Sequence, residues 1–179
     1  NADGSGETYF GIIFGAYEVE DNDYSVPKSL KEVIITGGVI PDRAFKYCSG
    51  ITSVIVKGEV STVGEGAFNS CTSLESVTIP NGVKKINARA FDGCTSLESI
   101  TIPNSVTEIG DCAFLECTSL KSITIPDAAT YVGFDAFDGC TSLVTINVPA
   151  KKSYYYKQHL RWNVRDKIVE PAPEKTTKK

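Results

Sequence analysis

Six cysteines, one histidine and long columns of serine and threonine are the residues of this 179-residue chain whose types and spacing could do chemistry. Cys48, Cys71, Cys94, Cys117 and Cys140 follow one another at a fixed interval of 23 residues. Zinc binding needs Cys or His ligands clustered at short spacing, and that interval supplies none, so no metal site is expected. An exported protein with six cysteines invites a disulfide reading. The periodic five are an odd number, and side chains stacked in register point the same way rather than at each other. They are expected to be free, buried thiols acting as small hydrophobes. Cys112 lies outside the series, where Gly66, Arg89 and Asp135 stand in other units. It is expected to be more exposed, and an intermolecular bridge there stays open.

The single histidine, His159, has no nucleophile or orienting carboxylate arranged around it in the sequence. No acidic residue is flanked by apolar ones in the manner that raises a carboxyl pKa. Asp21-Asn22-Asp23 could suggest calcium, yet the further ligands and the bidentate glutamate of an EF-hand loop are missing. There is no glycine-rich phosphate loop after a strand. The chain is therefore expected not to be an enzyme and to carry no cofactor.

The same interval sets everything else. Phe45, Phe68, Phe91, Phe114 and Phe137 share it, as do Ala44, Ala67, Ala90, Ala113 and Ala136. Leu74, Leu97, Leu120 and Leu143 share it too, with Ile51 ahead of them. Residues 74–80 alternate apolar and polar, which is the pattern of a strand with one buried face. Leu74, Val77 and Ile79 are expected to point inward. Pro80, Pro103, Pro126 and Pro149 end the strands, because proline cannot donate to a ladder. Gly64, Asn87, Gly110 and Gly133 follow the second apolar pair and are expected to take a positive φ at a turn. Ala90 and Cys94, four apart, would then share one face of a single helical turn. No unit can bury its apolar face alone, whereas stacked units can, and each position becomes a ladder through the core.

The string at 96–114, Ser-Leu-Glu-Ser-Ile-Thr-Ile-Pro-Asn-Ser-Val-Thr-Glu-Ile-Gly-Asp-Cys-Ala-Phe, resembles the BspA-like leucine-rich repeat, also called the Treponema-pallidum type. The resemblance covers 30–149. It implies a right-handed, curved repeat solenoid with short parallel strands and single helical turns, of the kind common on bacterial surface proteins described as adhesins. The first unit departs from the pattern: Leu30 to Ile51 is two residues short, with Gly37-Gly38 for a longer loop and Pro41 for the turn residue. It is expected to be distorted.

Residues 1–29 are expected to be an N-terminal cap or degenerate repeat, with an apolar segment at 9–16 and an acidic loop at 18–23. Five repeats occupy 30–149. Residues 150–169 break the pattern with Tyr154, Tyr155, Tyr156, Leu160, Trp162, Val164 and Ile168, an amphipathic segment resembling the family's terminal cap. Residues 170–179 read as a tail or linker. The chain starts at Asn1 without methionine, so it is read as a mature or excised fragment whose export signal is missing. Charge is divided: residues 1–149 carry nine Lys/Arg and nineteen Asp/Glu, and 150–179 carry nine and three. An acidic body argues against nucleic-acid binding. The longest apolar runs are too short to span a bilayer, so no membrane insertion is expected.

A ligand is expected on the outward strand positions. One column there is Ser53, Ser76, Ser99, Ser122 and Thr145; the next is Ile55, Thr78, Thr101, Thr124 and Asn147; a third is Thr52, Glu75, Glu98, Lys121 and Val144. The candidate site residues are Ile55, Glu75, Ser76, Thr78, Glu98, Ser99, Thr101, Lys121, Ser122 and Thr124. Against this, the face lacks aromatics and arginine, and Ser and Thr also suit an exposed strand where they hydrogen-bond their neighbours. The reading is a secreted or cell-surface binding module, monomeric, that recognises a host or matrix protein or a glycan. The alternative is a structural spacer that displays a neighbouring domain.

Overall fold

A computed structural model of the chain describes residues 30–171. The expected features within 1–29 and 172–179, including Asp21-Asn22-Asp23, lie outside the described residues. Each unit makes one coil with two short strands and a turn segment, except that the first strand at 99–101 is reduced to isolated bridges. The first strands are β1 Glu32–Ile35, β3 Ser53–Val56, β5 Ser76–Thr78, β8 Ser122–Thr124 and β10 Thr145–Asn147. The second are β2 Gly38–Ile40, β4 Val60–Val63, β6 Lys85–Ile86, β7 Glu108–Ile109 and β9 Tyr131–Val132. All ladders are parallel. The second strands form one five-stranded sheet, β2-β4-β6-β7-β9. The first strands fall into two sheets, β1-β3-β5 and β8-β10, the second completed by β11 (Ile168–Val169) beside β10, and the two are linked through the Thr78–Thr101 and Ser99–Ser122 bridges. The solenoid expected from the repeat is therefore present.

Inward positions stack as expected. Leu74, Val77 and Ile79 are buried, and so are their equivalents Leu97, Ile100, Ile102, Leu120, Ile123 and Ile125. The five phenylalanines form a near-parallel stack, with ring centroids 5.2 Å apart at Phe45–Phe68 and 5.8 Å at Phe114–Phe137. The ladder cysteines are free and buried, but they are more than small hydrophobes. The thiols of Cys71, Cys94, Cys117 and Cys140 each donate to a phenylalanine carbonyl of the preceding coil, Phe45, Phe68, Phe91 and Phe114, at 3.0 to 3.2 Å. Each of those carbonyls already accepts the N–H three residues on, from Cys48, Cys71, Cys94 and Cys117, and the thiol takes up its second lone pair in a dry core. Cysteine is small enough for the ladder and still supplies a donor.

The turn segment departs from the expected helical turn, and the glycine column departs from the expected φ. The left-handed residues are Arg43, Gly66, Arg89, Cys112 and Asp135, and four further on Tyr47, Ser70, Gly93, Glu116 and Gly139. Gly64, Asn87, Gly110 and Gly133 are not among them. Two left-handed residues per coil break a regular i→i−4 helix. The N–H groups of Ala67, Asn69 and Cys71 instead reach back three residues, and those of Gly66, Phe68 and Ser70 donate to Ala88, Ala90 and Asp92 of the next coil. These inter-coil bonds offset a left-handed cost of roughly 1–2 kcal/mol per non-glycine residue. Glycine at 110 and 133 answers a different need, close approach: an added Cβ would lie 2.5 Å from Ala88 N or 2.3 Å from Asp111 N.

The short first unit is distorted where expected. Glu32 pairs with Ser53, Gly38 with Val60 and Ile40 with Val63, so the offset grows from 21 to 23 residues along the coil. The shift falls at a bulge beside Gly38, whose φ of 87° suits glycine. At the other end, helix α1 Ser153–His159, a 3₁₀ turn Trp162–Lys167 and β11 Ile168–Val169 follow the last coil. Tyr156, Leu160, Val164 and Ile168 are buried against it. β11 adds a strand beside β10. The Glu170 carboxylate accepts the Ser153 N–H at 2.7 Å, and hydrogen bonding from the Ser153 side chain and then its backbone holds the Glu170 pKa below the ordinary carboxylate range. Glu170, where the tail was expected to start, thus serves the first turn of α1.

Candidate functional site

Strand pairing in register puts the outward residues of β3, β5, the 99–101 stretch, β8 and β10 on one face. Ser53, Ser76, Ser99, Ser122 and Thr145 form one row, and Ile55, Thr78, Thr101, Thr124 and Asn147 the next. Glu75, Ser76, Thr78, Glu98, Ser99, Thr101, Lys121, Ser122 and Thr124 are exposed, and Ile55 is half-buried. The structure therefore brings all ten candidate residues together, with strands about 4.8 Å apart. The ends of the face differ. Ile34 and Ile55 make an apolar end, and an exposed Glu98–Lys121 ion pair at 2.5 Å marks the middle. Such a pair contributes about 0–1 kcal/mol and leaves both charges open to a partner.

The hydroxyls of this face do not bond their neighbours as expected. Threonines elsewhere do: Thr95 donates to the Thr72 carbonyl, Thr118 to Thr95, Thr107 to Lys84 and Thr130 to Thr107. Those side chains bind one coil to the next. Among the described residues, the hydroxyls of Ser76, Thr78, Ser99, Thr101 and Ser122 make no hydrogen bond within the protein. On the same face Thr52 donates to the Lys31 carbonyl at 3.0 Å, and Thr124 is engaged by Asn147 at 3.3 Å. A pleated strand holds its outward side chain away from the adjacent backbone, so these hydroxyls are left to solvent or to a ligand.

Three further features bear on chemistry. His159 stacks on Tyr155, ring centroids 4.0 Å apart, and its Nδ1 meets the Tyr155 carbonyl at 2.7 Å. Cys112 is half-exposed, as expected, and burial pushes its thiol up, with Asp135 adding to the effect against Arg89. That is the opposite of thiolate activation. Among the described residues no group of three or more His, Cys, Asp or Glu is placed to hold a metal ion, and no helix is long and apolar enough to cross a membrane.

One exposed cluster was only half expected: Tyr155 belongs to the aromatic terminal segment, where an aromatic ligand site was the alternative to a cap, but Tyr131 and Phe134, beside His159 and Arg161, were not singled out. Phe134 is 61% exposed and Tyr131 48%. The signal was present. Phe134 stands where Asp42, Glu65, Ala88 and Asp111 stand in other units, and Tyr131 where Lys85 and Glu108 stand. An aromatic in an outward polar column is a departure from the repeat that serves no core.

The BspA type leucine-rich repeat region matches residues 38–161 as six copies. Among solved structures, the chain is similar to a Treponema pallidum leucine-rich repeat protein at 27% identity and a TM-score of 0.63, over 69% of this chain and 60% of that one. It is also similar to a leucine-rich repeat protein of Bacteroides ovatus, at 26% identity and a TM-score of 0.57, over 69% of this chain and 43% of that one. The match thus spans less than two thirds of either neighbour. No curated protein matches the chain. The repeat registers, the parallel coils and the family match together place this chain in the BspA-type leucine-rich repeat family.

Proposed function

We propose that the chain is the binding module of a secreted or cell-surface protein, and that it recognises a host or matrix protein or a glycan through the face of its first strands. The observation that carries this reading is the row of unengaged hydroxyls. Thr95, Thr107 and Thr118 use their hydroxyls between coils away from this face, whereas Ser76, Thr78, Ser99, Thr101 and Ser122 on the face bond nothing among the described residues. Residues 30–149 act as the repeat body, 1–29 and 150–169 cap its ends, and 170–179 lead onward as a tail. The module works as a monomer.

The test is equilibrium binding of the intact chain to a panel of extracellular-matrix proteins and glycans, beside a variant carrying Thr78→Lys, Thr101→Lys and Thr124→Lys. All three positions are exposed, so folding should be retained. Saturable binding lost in the variant is the expected result. Binding that survives would place the site on another surface. No saturable binding to any member would favour a spacer that displays a neighbouring domain.

A further inference from the structure

The geometry points to a second interaction surface, where the last coil meets the terminal segment, that takes an acidic protein segment bearing an aromatic or large aliphatic side chain. It is built from Tyr131, Phe134, Tyr155, His159 and Arg161, with Lys152 at its edge. The pieces are joined by contacts. The Asp111 carboxylate accepts the Tyr131 hydroxyl at 2.7 Å and the Phe134 N–H at 2.8 Å, which fixes both residues on one side of the coil. The Arg161 guanidinium lies 5.1 Å from the centre of the Phe134 ring. A cleft of about 310 Å³ runs between Phe134, His159, Arg161 and Arg165. A second, of about 350 Å³, is lined by Ala129, Thr130, Lys152, Tyr155 and Tyr156. The Tyr155–His159 stack contributes one ring to each cleft.

Such a surface has the composition of a binding hot spot: rigid aromatic rings with arginine among them. Phe134 is 61% exposed, Tyr131 48% and Tyr155 41%, large apolar surface left open to a partner. The charge of the surface selects the partner. Most of its carboxylates are already engaged: Asp111 as above, Asp135 and Asp138 by Arg161, and Asp138 also by Asn163; Asp127, beside Lys152 and Tyr156, is the exception. Its cations are less so. Lys152 reaches only the Asp127 carbonyl and Arg165 the Leu160 carbonyl, and neither makes an ion pair among the described residues. Residues 150–171 carry six Lys/Arg against Asp166 and Glu170, at one end of an acidic body. A segment with carboxylates for these cations and one apolar side chain for a cleft satisfies both features, whereas a neutral sugar would answer the rings and leave the charge unused. This surface is separate from the strand face and does not depend on it.

The test is fluorescence anisotropy of the intact chain with a short labelled peptide of alternating Glu and Phe. A second peptide has Ser for each Phe, and a neutral glucan oligosaccharide serves as competitor. Phe134→Ser with Tyr155→Ser should weaken peptide binding by roughly tenfold or more. Lys152→Glu should weaken it as well. The Thr78, Thr101 and Thr124 lysine variant should bind it unchanged, which separates this surface from the strand face. Four results would overturn the inference: no saturable binding, equal binding of the Ser peptide, indifference to the aromatic substitutions, or displacement of the peptide by the neutral oligosaccharide.

Discussion

Replacing Phe91 with alanine is expected to destabilise the chain by about 3–5 kcal/mol, read as a lower urea midpoint with an unchanged slope. Phe91 is fully buried, and its ring sits between Phe68 at 5.3 Å and Phe114 at 5.4 Å. Truncation removes the transfer energy of the ring, both stacking contacts and the filling of a rigid site. The coils on either side cannot close the gap, because inter-coil hydrogen bonds from Phe68 to Ala90 and from Phe91 to Ala113 fix their spacing. Phe134→Ser provides the contrast: the same residue type on the outside, expected within about 0.5 kcal/mol of the parent. A loss below about 1 kcal/mol for Phe91→Ala would mean that the stack is not the core.

Thiol labelling should divide the six cysteines more sharply still. In the native chain Cys112 alone should react on the timescale of mixing and minutes. The five ladder cysteines should wait for unfolding and react at least about a thousandfold more slowly, as folding equilibria of ordinary domains imply. Burial pushes the thiols of Cys71, Cys94 and Cys117 well above their ordinary range and that of Cys140 up to about 12, and neighbouring thiols in the ladder add to the effect at the first three. A thiolate there would lose water and meet a phenylalanine carbonyl, so the reactive form is disfavoured twice. In denaturant all six should react without prior reduction. Fewer than six would mean a disulfide, and rapid native labelling of more than one would mean an open ladder.

What could be read from the residues follows from what repetition encodes. The 23-residue interval gave the ladders, because an inward position must stay apolar in every coil, and Leu74, Phe91 and Cys94 announce it. The left-handed positions did not announce themselves. Arg89, Cys112, Asp135 and Glu116 occupy them without being glycine, since inter-coil hydrogen bonds supply the compensation and leave no mark in residue type. Glycine stands at only some of the left-handed positions, Gly66, Gly93 and Gly139, and it also marks close approach at Gly110 and Gly133. The donor role of the cysteines was hidden for the same reason: it depends on a carbonyl 26 residues earlier. The ten strand-face residues were legible because register follows from the period. The aromatic cluster was legible only in part, in the departures of Tyr131 and Phe134 from their columns, because Arg161 and His159 lie beyond the repeat and only the folded terminal segment brings them to Phe134 and Tyr155.

The claim that the first-strand face is the binding surface is tested most directly by carboxyl footprinting of the intact chain, alone and saturated with a panel member that binds it. Glu75 and Glu98 are exposed on that face, and Glu65 and Glu116 are exposed in the turn segments. The account predicts that labelling of Glu75 and Glu98 falls on binding while Glu65 and Glu116 stay unchanged. Unaltered labelling of Glu75 and Glu98 in a saturated complex would contradict it.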